Sequence, residues 1–135
     1  MNDNKKLAAL LELSRFGGSD RYYKHPLYRL MVYTEGVQHM AEHIGAYWLL
    51  DMINFDFLPK LLRSKIRDTF YCIRLTVSAD KTARVIVTNG DDDHAIISRD
   101  VDYTDFPRVS DFKLFLCETV VSEGQRYMLL LPDEY

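Results

Sequence analysis

The chain has 135 residues, 47% hydrophobic and 27% charged, which is the length of one domain with enough apolar side chains for a real core. At this size roughly two-thirds of the unfolded chain's surface is removed from water on folding. The composition argues against disorder, a collagen-like repeat or a disulfide scaffold, and the net charge of −3 argues against a broad nucleic-acid or anionic-membrane surface.

Leu7, Leu10, Leu11 and Ser14 recur at helical spacing and predict a short amphipathic helix over 4–15. Glu12 and Arg15 interrupt its apolar character and no small-residue cleavage site follows, so no signal peptide is expected. Phe16-Gly17-Gly18-Ser19-Asp20 ends the helix. An aromatic connector follows, with Tyr22, Tyr23, His25, Pro26, Tyr28 and Tyr33, among which Arg21, Lys24 and Arg29 are interleaved, a pattern that can grip nucleotides or single strands but that the overall acidity argues against.

Thr34 reads as an N-cap with Glu35 in the first turn, opening a helix over 35–53. Val37, Ala41, Ile44, Trp48 and Met52 form one face, with Asp51 on it, and His39, His43, Ala46, Leu50 and Ile53 form the other. The last turns are apolar all round, which predicts a central, buried helix. Its apolar run is far too short to span a membrane. Phe55-Asp56-Phe57-Leu58-Pro59 predicts a break, and Pro59 then starts a third helix through Arg67.

From Thr69 the period changes to two. Strands are expected over 70–77, 83–88, 94–101, 111–121 and 126–131, with turns at Ser78 to Thr82, at Asn89-Gly90 and at Ser122-Glu123-Gly124. The expected fold is α+β, one domain over 1–135, with N-terminal helices (1–67) packed on a C-terminal antiparallel meander of about five strands (69–135). Cys72 and Cys117 lie in apolar strands without CxxC spacing and read as buried free thiols. Together with the lack of targeting and membrane signals they point to the cytoplasm.

Several runs resemble an uncharacterised family of small bacterial, plasmid and phage proteins, known only as a domain of unknown function. They are Tyr23-Lys24-His25, Tyr33-Thr34-Glu35-Gly36-Val37, Met40-Ala41-Glu42, Gly45-Ala46-Tyr47-Trp48-Leu49-Leu50-Asp51, Tyr103-Thr104-Asp105-Phe106-Pro107 and Leu130-Leu131-Pro132-Asp133-Glu134-Tyr135. The resemblance runs from Phe16 to the end. It implies a stand-alone domain of mobile-element origin and brings no activity, cofactor or site residues with it. Histidine at position 43 is not something the family pattern demands.

His39-Met40-Ala41-Glu42-His43 has the H-x-x-E-H order. Residues four apart share a helix face, so His39 and His43 could hold one zinc ion, with Glu42 about 100° round from His43 as a general base. A third ligand would have to come from His25, His94 or a distant carboxylate. This is the metal-dependent hydrolase alternative, and zinc is the one cofactor with a candidate site. A solvated histidine pair explains the same residues more simply.

Asp51 on an apolar face must be paired, hydrogen-bonded or protonated. The simplest partner is an arginine, a tyrosine hydroxyl or a backbone amide. Tyr23, His25, Tyr28 and Tyr33 offer stacking faces and hydroxyl donors, and with Trp48 and Asp51 they make the candidate binding set. The dense basic run Lys60-Leu61-Leu62-Arg63-Ser64-Lys65-Ile66-Arg67 is the nucleic-acid alternative, through Lys60, Arg63, Lys65 and Arg67. Asp91-Asp92-Asp93 lacks calcium-loop spacing, and neither a phosphate-binding glycine loop nor Gly-x-Ser-x-Gly occurs. The reading is a non-catalytic binding or interaction protein, an accessory factor of a phage or plasmid, whose partner is a protein or a small-molecule ligand rather than nucleic acid or a membrane.

Overall fold

The computed structural model describes residues 3–12, 22–64, 68–90 and 94–135. Its N-terminal half holds the helices and its C-terminal half most of a mixed, largely antiparallel sheet, so the α+β architecture is as expected. Helix α1 (Asp3–Glu12) buries Lys6 and Ala9. Leu7 and Leu11, on the expected apolar stripe, stay exposed, because Lys6 is the side chain drawn inward, towards Gly45 and Asp105.

The helix expected over 35–53 is broken. Helix α2 (Glu35–Met40) starts at Thr34, whose extended backbone and side-chain oxygen cap the Val37 N–H as the sequence predicts. A wide turn, Ala41–Gly45, ends it: Gly45 adopts φ +79° and the Ala46 N–H bonds back to the Ala41 carbonyl at 3.1 Å. That is a Schellman stop, and glycine fits the left-handed position without the penalty of a Cβ. Helix α3 (Tyr47–Met52) restarts from the Ala46 carbonyl in a new direction.

The break expected at 55–59 does not occur. A second wide turn, Ile53–Phe57, leads without interruption into α4 (Leu58–Arg63). Pro59 has no N–H to give and its ring would crowd the carbonyl one turn back, so the widened turn lets the helix pass through it. The third helix closes at Ser64, and residues 65–67 lie outside the described residues.

These two turns decide which residues face inward. Val37, Met40, Ala41 and Ile44 are buried before the stop, and Leu49, Leu50, Ile53, Phe57, Leu58 and Leu61 after it. Trp48 and Met52, expected on the principal face, are only half-buried against the core, and Asp51 is exposed.

The strands are β1 (Tyr22–Tyr23), β2 (Met31–Thr34), β3 (Phe70–Val77), β4 (Ala83–Thr88), β5 (Ile97–Val101), β6 (Val109–Val121) and β7 (Gly124–Leu130). Their order in the sheet is β1-β2-β7-β6-β3-β4-β5. The five C-terminal strands pair antiparallel as expected, but β6 returns to the free edge of β3 instead of extending the meander beyond β5. The connector supplies two strands that the alternation did not announce: β2 is buried at all four positions and pairs parallel with β7.

Tyr71, Ile73, Leu75 and Val77 with Val85, Val87, Leu114, Leu116, Tyr127 and Leu129 form the inner face, and the helices pack on it in one cluster. Cys72 and Cys117 lie outside that cluster, on the opposite face beside Phe70 and Phe115, as unpaired thiols. At the C-terminus, Glu134 accepts from Thr34 Oγ1 (2.6 Å), the Gly36 N–H (3.2 Å) and the Leu131 N–H (3.0 Å). This clasp ties the chain's end to the start of α2 and the end of β2.

Candidate functional site

Between β1 and β2 the connector folds back on itself. The Tyr28 N–H bonds to the His25 carbonyl at 3.0 Å, and His25 Nδ1 accepts from the Leu27 N–H at 3.1 Å. An accepting Nδ1 leaves the proton of the neutral ring on Nε2, where it is a donor. The His25 ring stacks on Tyr28 with centroids 4.3 Å apart. Tyr28 meets Tyr33 edge-on at 6.2 Å and Phe55 at 5.7 Å, and Tyr33 stacks on Tyr23 at 6.0 Å.

The fold thus brings Tyr23, His25, Tyr28 and Tyr33 into one aromatic stack, and α3 adds Asp51, which accepts a short hydrogen bond from the Tyr28 hydroxyl. Asp51 is therefore bonded to a tyrosine, one of the partners expected for it, but at the protein's edge and not over the principal core. Trp48 packs against the core, and no ring contact joins it to this stack among the described residues.

A second polar pair lies beside the first. Glu42 accepts from the Tyr47 hydroxyl at 3.0 Å and from Gln38 Nε2 at 3.4 Å, and the Tyr47 hydroxyl sits against Tyr33. Sequence reading missed Tyr47 and Glu42 as partners, although they are five apart across Gly45 and only the helix stop brings them together. Burial, and then the bond to Asp51, pushes the Tyr28 phenol far above its ordinary value. Burial also raises Tyr33, and burial with the Glu42 bond raises Tyr47 to about 12. These phenols stay neutral at physiological pH; Tyr28 donates to Asp51 and ties the connector to α3, and Tyr47 donates to Glu42 across the helix stop.

Beyond His25 the same connector forms one wall of a cleft of about 340 Å³. Its walls are Lys24, His25, Pro26, Tyr28, Arg29 and Val32 on one side and Val121, Glu123 and Arg126 of the β6–β7 hairpin on the other. Lys24 Nζ pairs with Glu123 Oε1 at 2.5 Å across the opening, and Ser122 also contacts both. Sequence reading named His25 and Tyr28 but not Arg126, 98 residues from Tyr28, since only the parallel β2–β7 pairing brings the hairpin alongside.

The other candidate residues fall elsewhere. The His39 and His43 rings lie 4.3 Å apart, tilted by 38°, with His39 half-buried and His43 exposed. Glu42 is taken up by Tyr47 and Gln38, His25 belongs to the cleft, and His94 is exposed in the segment before β5, the edge strand opposite β1. Among the described residues no group of three or more His, Cys, Asp or Glu side chains is gathered where it could hold a metal ion. In the basic run, Lys60 pairs with Asp56 at 2.9 Å and Arg63 bonds to the Pro59 carbonyl at 3.1 Å. Lys65 and Arg67 lie outside the described residues, as does Asp91-Asp92-Asp93. Burial raises the Cys72 thiol, and raises Cys117 to about 11, so both are poor nucleophiles. No helix among the described residues is long and apolar enough to cross a membrane.

No curated protein and no solved structure matches the chain. One family model does match, over residues 8–135, and with nearly the whole length covered the chain belongs to the Family of unknown function (DUF6876).

Proposed function

We propose that this protein is a non-catalytic binding protein that takes a small ligand in the cleft between the aromatic connector and the β6–β7 hairpin. The observation that carries the reading is the cleft itself: about 340 Å³, walled by His25, Tyr28, Val32 and Val121 with Arg29 and Arg126. That volume is at the lower end of the range for small-molecule sites, and the mix of apolar walls with a few polar groups is typical of them. The aromatic stack behind the cleft is anchored by Asp51, so the wall is held in one geometry before any ligand arrives.

The non-catalytic part of the reading is supported by the direction of the proton affinities. The phenols of Tyr28, Tyr33 and Tyr47 and both thiols are raised away from neutrality, whereas a general base or nucleophile needs the opposite. The two unpaired thiols support a cytoplasmic location. The resemblance of the YTEGV, GAYWLLD and YTDFP runs supports an origin among bacterial, plasmid or phage accessory proteins.

The test is a fragment screen on the full ¹⁵N-labelled chain, read by amide shifts. Hits are expected to move resonances of residues 24–32 and 121–126 together. Hits that gather anywhere else, or a screen that moves nothing in those two segments, would remove the cleft as the binding site.

A further inference from the structure

The charge inside the cleft is opposite to that of the molecule. The whole chain carries −3, yet among the described residues the cleft walls hold Lys24, Arg29 and Arg126 against the single carboxylate of Glu123. That carboxylate is already engaged by Lys24 and Ser122 at the rim. Two guanidinium groups remain. Arg29 is exposed and forms no ion pair or hydrogen bond among the described residues. Arg126 donates from Nη1 to the backbone carbonyl of Gln125 at 2.8 Å, which leaves most of its donor fork open.

We propose that the cleft is an oxyanion site that grips the phosphate group of a small phosphorylated ligand through Arg29 and Arg126. This rests on the reading of the cleft as the ligand site and adds the chemistry of what enters it. Guanidinium forks match the planar spacing of phosphate and carboxylate oxygens and make paired, charge-assisted hydrogen bonds to them. Gathering like charges around one concavity raises the local anion concentration and is relieved when an anion arrives. His25 adds a donor at Nε2, its ring held by the Nδ1 bond from the Leu27 N–H and by its stack on Tyr28. Pro26, Val32 and Val121 give the uncharged body of the ligand an apolar wall. The Lys24–Glu123 pair closes the rim and sets the size of what fits.

The test titrates the full ¹⁵N-labelled chain with inorganic phosphate, a nucleoside monophosphate, a sugar phosphate and the parent uncharged nucleoside. Each titration is run at about 50 mM and about 300 mM salt, across which screening changes strongly. The phosphorylated compounds are expected to shift residues 24–32 and 121–126, and to bind less tightly at the higher salt. Arg29→Ala and Arg126→Gln are each expected to weaken that binding about tenfold or more, with urea midpoints close to the parent's. The monophosphate against the sugar phosphate tells which body the apolar wall prefers. A nucleoside that binds as well as its monophosphate, with no salt dependence, would overturn the anion chemistry and leave the cleft as a ligand site. Phosphate binding that survives both arginine substitutions would overturn it too. No shift in the two segments with any of the four compounds would remove it, and the fragment screen then decides separately whether the cleft takes any other ligand.

Discussion

Two polar regions share Tyr28 and His25, and they are built on opposite terms. On the helix side, each polar group named is answered by a protein group: the Tyr28 hydroxyl by Asp51, the Tyr47 hydroxyl by Glu42, and Thr34, Gly36 and Leu131 by Glu134. On the hairpin side, among the described residues, three cations face one carboxylate, and Arg29 and Arg126 keep donor capacity that no described side chain takes up. Polar groups that satisfy one another fix a structure; those with donors to spare are where a ligand gains most. The first region should therefore govern stability and the second binding.

The largest effect is expected at the clasp. Glu134→Ala removes the two carboxylate oxygens that accept three hydrogen bonds and leaves Thr34 Oγ1 and two backbone N–H groups without them, a cost of about 3 kcal/mol in urea unfolding. A loss of under about 0.5 kcal/mol would show that the chain's end is not a structural element. Next is Gly36→Ala. A Cβ there would sit 2.6 Å from Leu131 Cδ1 and 2.8 Å from Glu134 Oε1, so these two side-chain ends must shift and the clasp loosens, at about 1–2 kcal/mol. Stability unchanged by this substitution would mean that Leu131 and Glu134 move aside freely.

Tyr28→Phe is expected to cost about 1 kcal/mol at neutral pH, because the freed Asp51 carboxylate is exposed and regains water. Its sharper signature is at alkaline pH. The folded-state phenols of Tyr28, Tyr33 and Tyr47 are raised, so their contribution is complete below the unfolded value of about 10 and is lost as pH rises from there through the folded values. Tyr28→Phe should flatten that alkaline decline, measured as unfolding free energy against pH with phenolate absorbance followed in parallel. A decline equally steep in both proteins would detach the Tyr28 phenol from stability. The smallest effect on stability is expected in the cleft: Arg29→Ala should stay within about 0.5 kcal/mol of the parent. A larger loss would mean that the cleft is part of the structural seam, and the contrast between the two regions would fail.

Much of this was legible in the residues, and the exceptions share a cause. Period-two alternation placed β3 and β4 because each strand buries one face against the helices. Thr34 announced its own helix start. The candidate set Tyr23, His25, Tyr28, Tyr33 and Asp51 gathers in space, while Trp48, on the same face as Asp51 only if the helix is unbroken, packs against the core with no ring contact to them among the described residues. The clue was present in Gly45, a glycine inside a helical pattern, but a glycine there is compatible both with a tolerated interior residue and with a stop. Only the φ of +79° and the bond from Ala46 to Ala41 choose between them, and that choice rotates every later residue.

By itself, then, the sequence determined what local chemistry dictates: the α+β division, the strand alternation, the N-cap at Thr34, and the need of Asp51 for a partner. Tertiary structure alone decided the cleft, because its walls come from residues 24–32 and 121–126, nearly a hundred positions apart. What joins them is the parallel pairing of β2 with β7, a contact between distant segments that leaves no periodic trace in either. The charge of the cleft was legible only in part: Lys24 and Arg29 stand among the connector's aromatic residues, but Arg126 joins them only through the fold, since charge acts through distance in space and not through position along the chain.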